Sequence, residues 1–432
     1  MTLTLSNIDY NISPKFRAGV LGGTGTVGQN LVLLLANHPW ITVVAIGASE
    51  RNAGKRYQDV WRNCRPCPEV VKDIVLWDAL QDKKKFITGD LDLVFSALDS
   101  ELAVQVESDL AASGLAVFSN ASSHRGDIDV PIVLPLVNPG HLELVKIQRF
   151  YAKSGGYIVT NSNCSTAGFV TALKALQDAF GVDSAICTTM QAVSGAGNPG
   201  PHWNQIDSNV VPYIPGEEEK IENETKKILG KLPVSAEQAP ALDAHTCAAE
   251  KNTGKETDGS TSVEHQDERP PLSDASSSTS GRGTVCAVYG KIHGIIPNDQ
   301  IRISASVNRV PVVDGHTMSV SVKLTKPPLD ENMKLNTSAI EEAFENFTFS
   351  IPDMDKLPVI PSKFIQVFRS LDEPQPKFHS QIGNGMTVSI GKVRACSVLD
   401  VKFTLVVNNA ILGAAGGAVA NAELAIASRI LL

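Results

Sequence analysis

Residues 22–28 read Gly22-Gly23-Thr24-Gly25-Thr26-Val27-Gly28, and this stretch decides the fold. It follows a β-like run, Arg17–Leu21, and opens an apolar helical run, Gln29–Asn37. Gly23, Gly25 and Gly28 satisfy the G-x-G-x-x-G spacing, with Thr24, Thr26 and Val27 between them. Between a strand and a helix, such glycines permit a tight turn. They also let the backbone approach a pyrophosphate and let helix and strand pack closely. The helix start supplies free N–H donors and a partial positive charge. A glycine turn without a ligand is the alternative reading of these residues.

Outward from the loop, Ile41–Ile46 reads as a buried strand and Leu91–Ala97 as another. Helical Glu101–Ala112 and strand-like Ala116–Ser119 follow. This βαβ rhythm predicts a parallel, doubly wound sheet. The end of the second strand is where a dinucleotide's 2′-position is read. There Glu50 would favour NAD, whereas Ser49, Arg51 and Lys55 favour the extra phosphate of NADP; a solvated loop is the plainer reading.

From Tyr157 the character changes. Tyr157–Thr160 and Ala185–Val193 are strand-like, and Phe169–Phe180 is helical up to Gly181. Gly216–Leu229 has the composition of a charged surface helix. Arg302–Val310 and Thr317–Leu324 alternate as a half-buried sheet does. The expected architecture is α/β. An N-terminal Rossmann-like parallel-sheet domain (residues 1–160) precedes an α+β catalytic and dimerisation domain with a mixed sheet (residues 161–410). The Ala-rich segment Ile411–Leu432, helical after its glycines, is expected to pack back onto the first domain. Pro233 to Gly283 holds no Ile, Phe, Tyr, Trp or Met. It reads as a disordered surface insertion, because it cannot bury enough apolar surface to offset its ordering entropy.

The charge balance, 38 Lys+Arg against 46 Asp+Glu, argues against a nucleic-acid or anionic-membrane partner for the whole chain. No apolar run reaches the roughly 20 residues that span a bilayer. The first residues lack the basic segment and apolar core of a secretory signal. Seven unevenly spaced cysteines fit reduced thiols in the cytoplasm rather than a disulfide scaffold. Cys64 and Cys67 form a CxxC with no second Cys or His pair at zinc-finger spacing, so no metal is expected.

Cys164, in Asn161-Ser162-Asn163-Cys164-Ser165-Thr166-Ala167-Gly168, stands at a strand-to-helix junction. A thiol at a helix N-terminus is held toward its thiolate, and the free N–H groups there can hold an oxyanion. A buried structural cysteine is the alternative. Arg309 and His316 share a polar turn between two strands. His exchanges protons near neutral pH, and Arg grips a carboxylate bidentately. Sequence alone does not put either beside Cys164.

Together these pieces resemble aspartate-semialdehyde dehydrogenase of the archaeal and fungal branch. The resemblance is densest around Cys164, over Gln191–Gly197, over 210–229, over Asn308–Thr317, at Gly383–Met386 and at Gly413–Gly417. It implies interconversion of aspartate 4-semialdehyde and 4-phospho-aspartate with NADP and phosphate, running toward the semialdehyde in threonine, methionine and isoleucine biosynthesis. By resemblance Cys164 is the nucleophile that carries an acyl-thioester, His316 the general acid/base, and Gln191 the residue that orients the intermediate. Arg309 would bind the substrate carboxylate and Glu217 its ammonium. Lys220, Asn163 and Arg125 would bind phosphate. Ser194, Gly195, Asn384 and the 413–417 turn would lie against the cofactor. Without the resemblance, Glu217 and Lys220 would read as a solvated helix face.

The resemblance also implies a homodimer or homotetramer joined through the middle domain. The chain departs from it in the 233–283 insertion, at Gly23, where Ala is usual, and at Leu412, which stands in the place of an Arg. Alternatives are a malonyl-CoA reductase-like enzyme, an N-acetyl-glutamyl-phosphate reductase, and a non-catalytic binding or regulatory paralogue.

Overall fold

Apolar runs on either side of the glycine loop build the first sheet. In the computed structural model, which describes residues 9–10, 12, 15–197, 203–232, 294–348, 351 and 354–431, it has six strands. They are β1 (Phe16–Leu21), β2 (Ile41–Ala48), β3 (Trp77–Asp78), β4 (Leu93–Ser96), β5 (Ala116–Ser119) and β6 (Tyr157–Thr160). Their order is β3-β2-β1-β4-β5-β6, and every pairing is parallel. Every residue of β4, β5 and β6 is buried, which is why these strands read as continuous apolar runs rather than alternations. The chain order reverses across β1, and ligands of such sheets sit at the carboxyl ends of the strands at that point. The glycine loop leaves β1 there. The 233–283 stretch lies outside the described residues.

A second sheet carries β7 (Val182–Gln191), β8 (Arg302–Arg309), β9 (His316–Leu324), β10 (Ile365–Phe368), β11 (Val388–Ala395) and β12 (Val401–Val407). Its order is β10-β11-β12-β9-β7-β8, with parallel pairs at both edges and antiparallel pairs between, so the sheet is mixed. Its strands alternate: Ala185, Cys187, Val307 and Val320 are buried, while Ile186, Thr188, Ser306 and Ser319 are exposed. One face is thus core, and the other stands open on the single chain.

Helix Cys164–Phe180 packs on the core face and begins five residues earlier than the apolar spacing alone predicts. Its start is set by Asn163, whose side-chain oxygen accepts from Ser165 N and Thr166 N at 2.9 and 3.3 Å. Inside it, Gly168 allows close approach to β12, because an added Cβ would lie 2.8 Å from Val407 Cβ.

The C-terminal helix, Gly416–Ala427, is buried on nearly all sides, as its apolar composition requires. It is tied to the first sheet's domain and its border by polar contacts. Glu423 Oε1 pairs with His38 Nε2 at 2.7 Å, and Asn421 Nδ2 donates to Val133 O at 3.0 Å and Asn161 Oδ1 at 2.8 Å.

Candidate active site

Register brings the chemistry to one end of the second sheet. Gln191 ends β7 and Arg309 ends β8, and the two are partners in the parallel ladder. His316 opens β9, which runs antiparallel to β7 with Thr317 opposite Met190. The helix on this sheet aims its N-terminus at the same end, with Cys164 as its first residue. Cys164 Sγ lies 3.3 Å from His316 Nε2, across 152 residues of sequence.

The imidazole is fully buried, and its Nδ1 accepts from Ala192 N at 3.0 Å. In the neutral ring the proton therefore sits on Nε2 and faces the sulfur. Burial, with Arg309 nearby, pushes the His316 pKa down to about 3, so the ring is neutral at physiological pH. Arg309 is 8 % exposed and donates from Nη1 to Ala192 O at 2.7 Å. Gly195 leaves room beside both residues: a Cβ there would come within 3.0 Å of the His316 ring and 3.1 Å of Arg309 Nη1.

Helix Glu217–Ile228 supplies a third wall. Glu217 is buried, which corrects the solvated-face reading: its carboxylate accepts from Asn163 Nδ2 at 2.8 Å, Lys220 Nζ at 3.0 Å and Gln191 Nε2 at 3.4 Å. Lys220 is half-buried. Arg125 lies on the same side, its Nη2 donating to Asn120 O at 2.8 Å and its Nη1 to Glu224 Oε1 at 3.0 Å. Sequence reading missed Glu224. Its signal was the spacing: it stands two helical turns after Glu217 and so shares its face.

The Cys164 thiol is pushed up to about 12, by burial first and by Glu217 second, while Arg125 and Arg309 pull it down. Here the structure departs from the sequence argument. The helix N-terminus and two guanidiniums favour the thiolate, but desolvation and the adjacent carboxylate outweigh them.

Behind the cysteine runs a π-helical turn, Ile411–Ala415, capped by Asn408, whose Oδ1 accepts from Ala410 N at 3.1 Å and Ile411 N at 3.0 Å. Gly413 in this turn touches the cysteine backbone; an added Cβ would lie 2.6 Å from Cys164 Cα. Leu412 is 6 % exposed and borders a small cavity with Leu134, Asn161 and Met386, apolar surroundings that suit Leu. Asn409 ties Ser194 to the His316 turn: its Nδ2 donates to Ser194 Oγ, and its Oδ1 accepts from Gly315 N, both at 3.0 Å. Asn384 is exposed at φ +56°, and the next residue, Gly385, backs onto Ile411 and Asn408.

The glycine loop forms a separate part of the site. A Cβ at Gly23 would meet Ile46 Cγ2 at 2.3 Å, and one at Gly28 would meet Gly22 O at 2.2 Å. The loop backbone must therefore stay bare, and its shape is fixed from within, Gly23 N donating to Gly47 O at 2.9 Å and Gly25 N to Gly22 O at 3.0 Å. Helix Thr26–Leu35 has no side-chain cap, and its N-cap Gly25 is exposed, as is Thr26. Thr24 and Val27 are half-buried. Tyr57 Oη clamps the loop by donating to Gly23 O at 2.7 Å. Ser49 and Arg51 are exposed just beyond β2. This donor set fits a dinucleotide.

Comparison with known proteins agrees with this geometry. Residues 17–145 match the family described as "Semialdehyde dehydrogenase, NAD binding domain". Residues 173–249 and 290–412 match "Semialdehyde dehydrogenase, dimerisation domain". The chain is 38 % identical over 417 residues to an aspartate-semialdehyde dehydrogenase of Cryptococcus neoformans, covering 96 % of this chain and 97 % of that protein. It is 35 % identical to that of Archaeoglobus fulgidus, covering 96 % and 100 %. The crystal structure of the Candida albicans aspartate semialdehyde dehydrogenase with NADP superposes with a TM-score of 0.74 at 33 % identity, covering 96 % of this chain and 100 % of that one. These relatives do not favour the malonyl-CoA reductase or non-catalytic alternatives.

Proposed function

The chain belongs to the semialdehyde dehydrogenase family, with aspartate-semialdehyde dehydrogenases as its relatives, and from that premise we propose how this site works. The protein is an NADP-dependent oxidoreductase acting on an aldehyde in amino-acid biosynthesis. It interconverts 4-phospho-aspartate and aspartate 4-semialdehyde. The observation that carries the mechanism is the Cys164–His316 pair at 3.3 Å, ringed by Arg309, Glu217 and Lys220.

In the oxidative direction, Cys164 Sγ bonds to the aldehyde carbon as its proton passes to the carbonyl oxygen; that carbon then gives up its hydrogen as hydride and the oxygen its proton, leaving an acyl-thioester. Phosphate oxygen then bonds to that carbon, and the sulfur leaves as thiolate. Arg309 takes the substrate α-carboxylate and Glu217 its ammonium. Glu217 already accepts from Lys220 Nζ, and a substrate ammonium would add a second cation to the carboxylate that holds the thiol protonated, so substrate binding favours the reactive form. His316 works through Nε2, the one ring nitrogen left to face the sulfur and the oxygen developing beside it. Gln191 steadies the thioester, and Asn163, Arg125 and Lys220 hold the phosphate.

Gly23–Gly28 would hold NADP at its pyrophosphate, Ser49 and Arg51 at its 2′-phosphate, and Ser194, Gly195 and Asn384 near its other end, and the bound cofactor would accept that hydride. In this reading residues 1–160 bind the dinucleotide, residues 161–410 hold catalysis and assembly, and the segment from 411 closes back on the first part. The chain forms a homo-oligomer. We place its interface on the open face of the second sheet, in a dimer or tetramer. No helix of the described residues is long and apolar enough to cross a membrane. The assignment is to the cytoplasm.

The test is NADPH formation from aspartate semialdehyde with and without phosphate, beside a Cys164→Ser sample. Phosphate-dependent NADPH formation lost in Cys164→Ser is expected. Folded, NADP-binding protein without turnover would overturn the reading.

A further inference from the structure

We propose that Glu224 is a positioning residue whose contact with Arg125 both restrains ionisation of Cys164 and competes with phosphate for that guanidinium. The proposal rests on the reading of Arg125 as a phosphate ligand.

Glu224 is 5 % exposed, yet both carboxylate oxygens are used. Oε1 accepts from Arg125 Nη1 at 3.0 Å, and Oε2 accepts from Asn163 N at 2.5 Å. The second contact fixes the Ser162–Asn163 peptide, one residue before Cys164. Asn163 also caps the cysteine helix and donates to Glu217, so one residue is held from three directions. The carboxylate cannot drift from this place. Lys227, one turn on, locks the same helix to the Arg125 loop by donating to the carbonyls of Arg125, Asp127 and Val130, each at 2.8 Å.

Charge gives the contact its consequence. Cys164 is faced by His316 from β9, Arg309 from β8, Arg125 from the 120–125 loop and Glu217 from helix Glu217–Ile228, behind which Lys220 pairs with Glu217 and Glu224 with Arg125. Glu224 is itself faced by Arg125, Glu217 and Lys227. Arg125 is one of two cations that favour the thiolate. A carboxylate on its Nη1 neutralises that influence, and Nη2 is already taken by Asn120 O. Its Nε is buried and has no partner among the described residues. A phosphate arriving at Arg125 must therefore share the guanidinium with Glu224 or displace it.

Glu224→Gln separates this role from packing. The amide has nearly the same shape, and its oxygen can keep the Asn163 N–H. Its NH2 group then faces Nη1, donor against donor, and Arg125 is released with its charge uncompensated.

Alkylation of Cys164 by iodoacetamide, followed by mass of the Cys164 peptide across pH and without phosphate, reads the first effect. The rate at pH 7 should rise about fivefold, with the pH midpoint moving down. The KM for phosphate should fall about threefold, because a competing carboxylate is gone. In an Arg125→Gln background the alkylation shift should vanish. Glu219→Gln, which removes an exposed carboxylate from the same helix, should leave the profile in place.

A Glu224→Gln profile that coincides with the parent or moves to higher pH would overturn the proposal. So would a shift that persists without Arg125, or one that Glu219→Gln reproduces. If Arg125→Gln leaves phosphate KM unchanged while Glu224→Gln shifts alkylation only where Arg125 is present, the phosphate reading fails and the control of Cys164 by Glu224 stands.

Discussion

Gly413→Ala tests how tightly the π-helical turn seats Cys164, the proposed nucleophile. Gly413 has no positive φ, so an Ala meets no backbone penalty and only space is at issue. The added carbon would lie 2.6 Å from Cys164 Cα and 2.8 Å from both its Cβ and its carbonyl oxygen. Carbon atoms settle at about 3.5–4.0 Å, so a gap of about 1 Å must open. Both walls resist. The cysteine helix is capped by Asn163, and the turn is capped by Asn408 and leads into the buried C-terminal helix. Overpacking of this kind costs about 1–3 kcal/mol. A displacement of about 1 Å at the nucleophile costs about 100-fold in rate.

The expected result is a kcat reduced about 100-fold in a protein that still folds with a modestly lower melting temperature. Gly140→Ala serves as the control, because no atom lies within 4 Å of its added carbon. Steady-state kinetics and calorimetry on the two variants decide the matter. A Gly413→Ala enzyme with parental kcat and melting temperature would refute the argument that this glycine is required by contact with Cys164. Lost stability with parental kcat would show that the turn yields and the cysteine does not.

Two further outcomes follow from other contacts. Tyr57→Phe removes the hydroxyl that holds Gly23 O, and a bond of that kind contributes about 1 kcal/mol. The KM for NADP should rise about fivefold with kcat unchanged, and an unchanged KM would show that the loop keeps its shape unaided. His141 is buried with Nδ1 accepting from Asn138 Nδ2 and Nε2 donating to Gly230 O; burial pushes its pKa down from 6.5 to about 4. Between those values the unfolded chain binds the extra proton, so stability is complete above pH 6.5 and is lost as pH falls toward 4. The loss is about 3 kcal/mol, read as the urea midpoint across pH, and His141→Gln should flatten that part of the curve.

How much was legible in advance depended on how local each signal was. Ala116–Ser119 and Tyr157–Thr160 coincide with β5 and β6, because a strand buried on both faces is apolar along most of its length, here up to a terminal Ser119 or Thr160. The glycine loop was equally legible, since turn, close approach and helix start are all written within seven residues. Several elements did not announce themselves. The two-residue β3 is too short to show a period, and β10, β11 and β12 were not singled out from a segment of mixed character. The start of the cysteine helix was set by the Asn163 cap rather than by apolar spacing.

The sequence by itself determined the parallel sheet and the glycine loop, because these depend on residue types within one or two turns of chain. Tertiary structure alone decided that Cys164 and His316 meet, since the sheet register that joins them spans 152 residues. It decided that Glu217 is a buried acceptor rather than a solvated charge, and that Glu224 stands beside Arg125 across 99 residues. It also decided the state of the thiol. Helix position is a local property, but desolvation is a property of everything packed around the sulfur. At Cys164 the loss of water outweighs the pull of the helix end and of both guanidiniums.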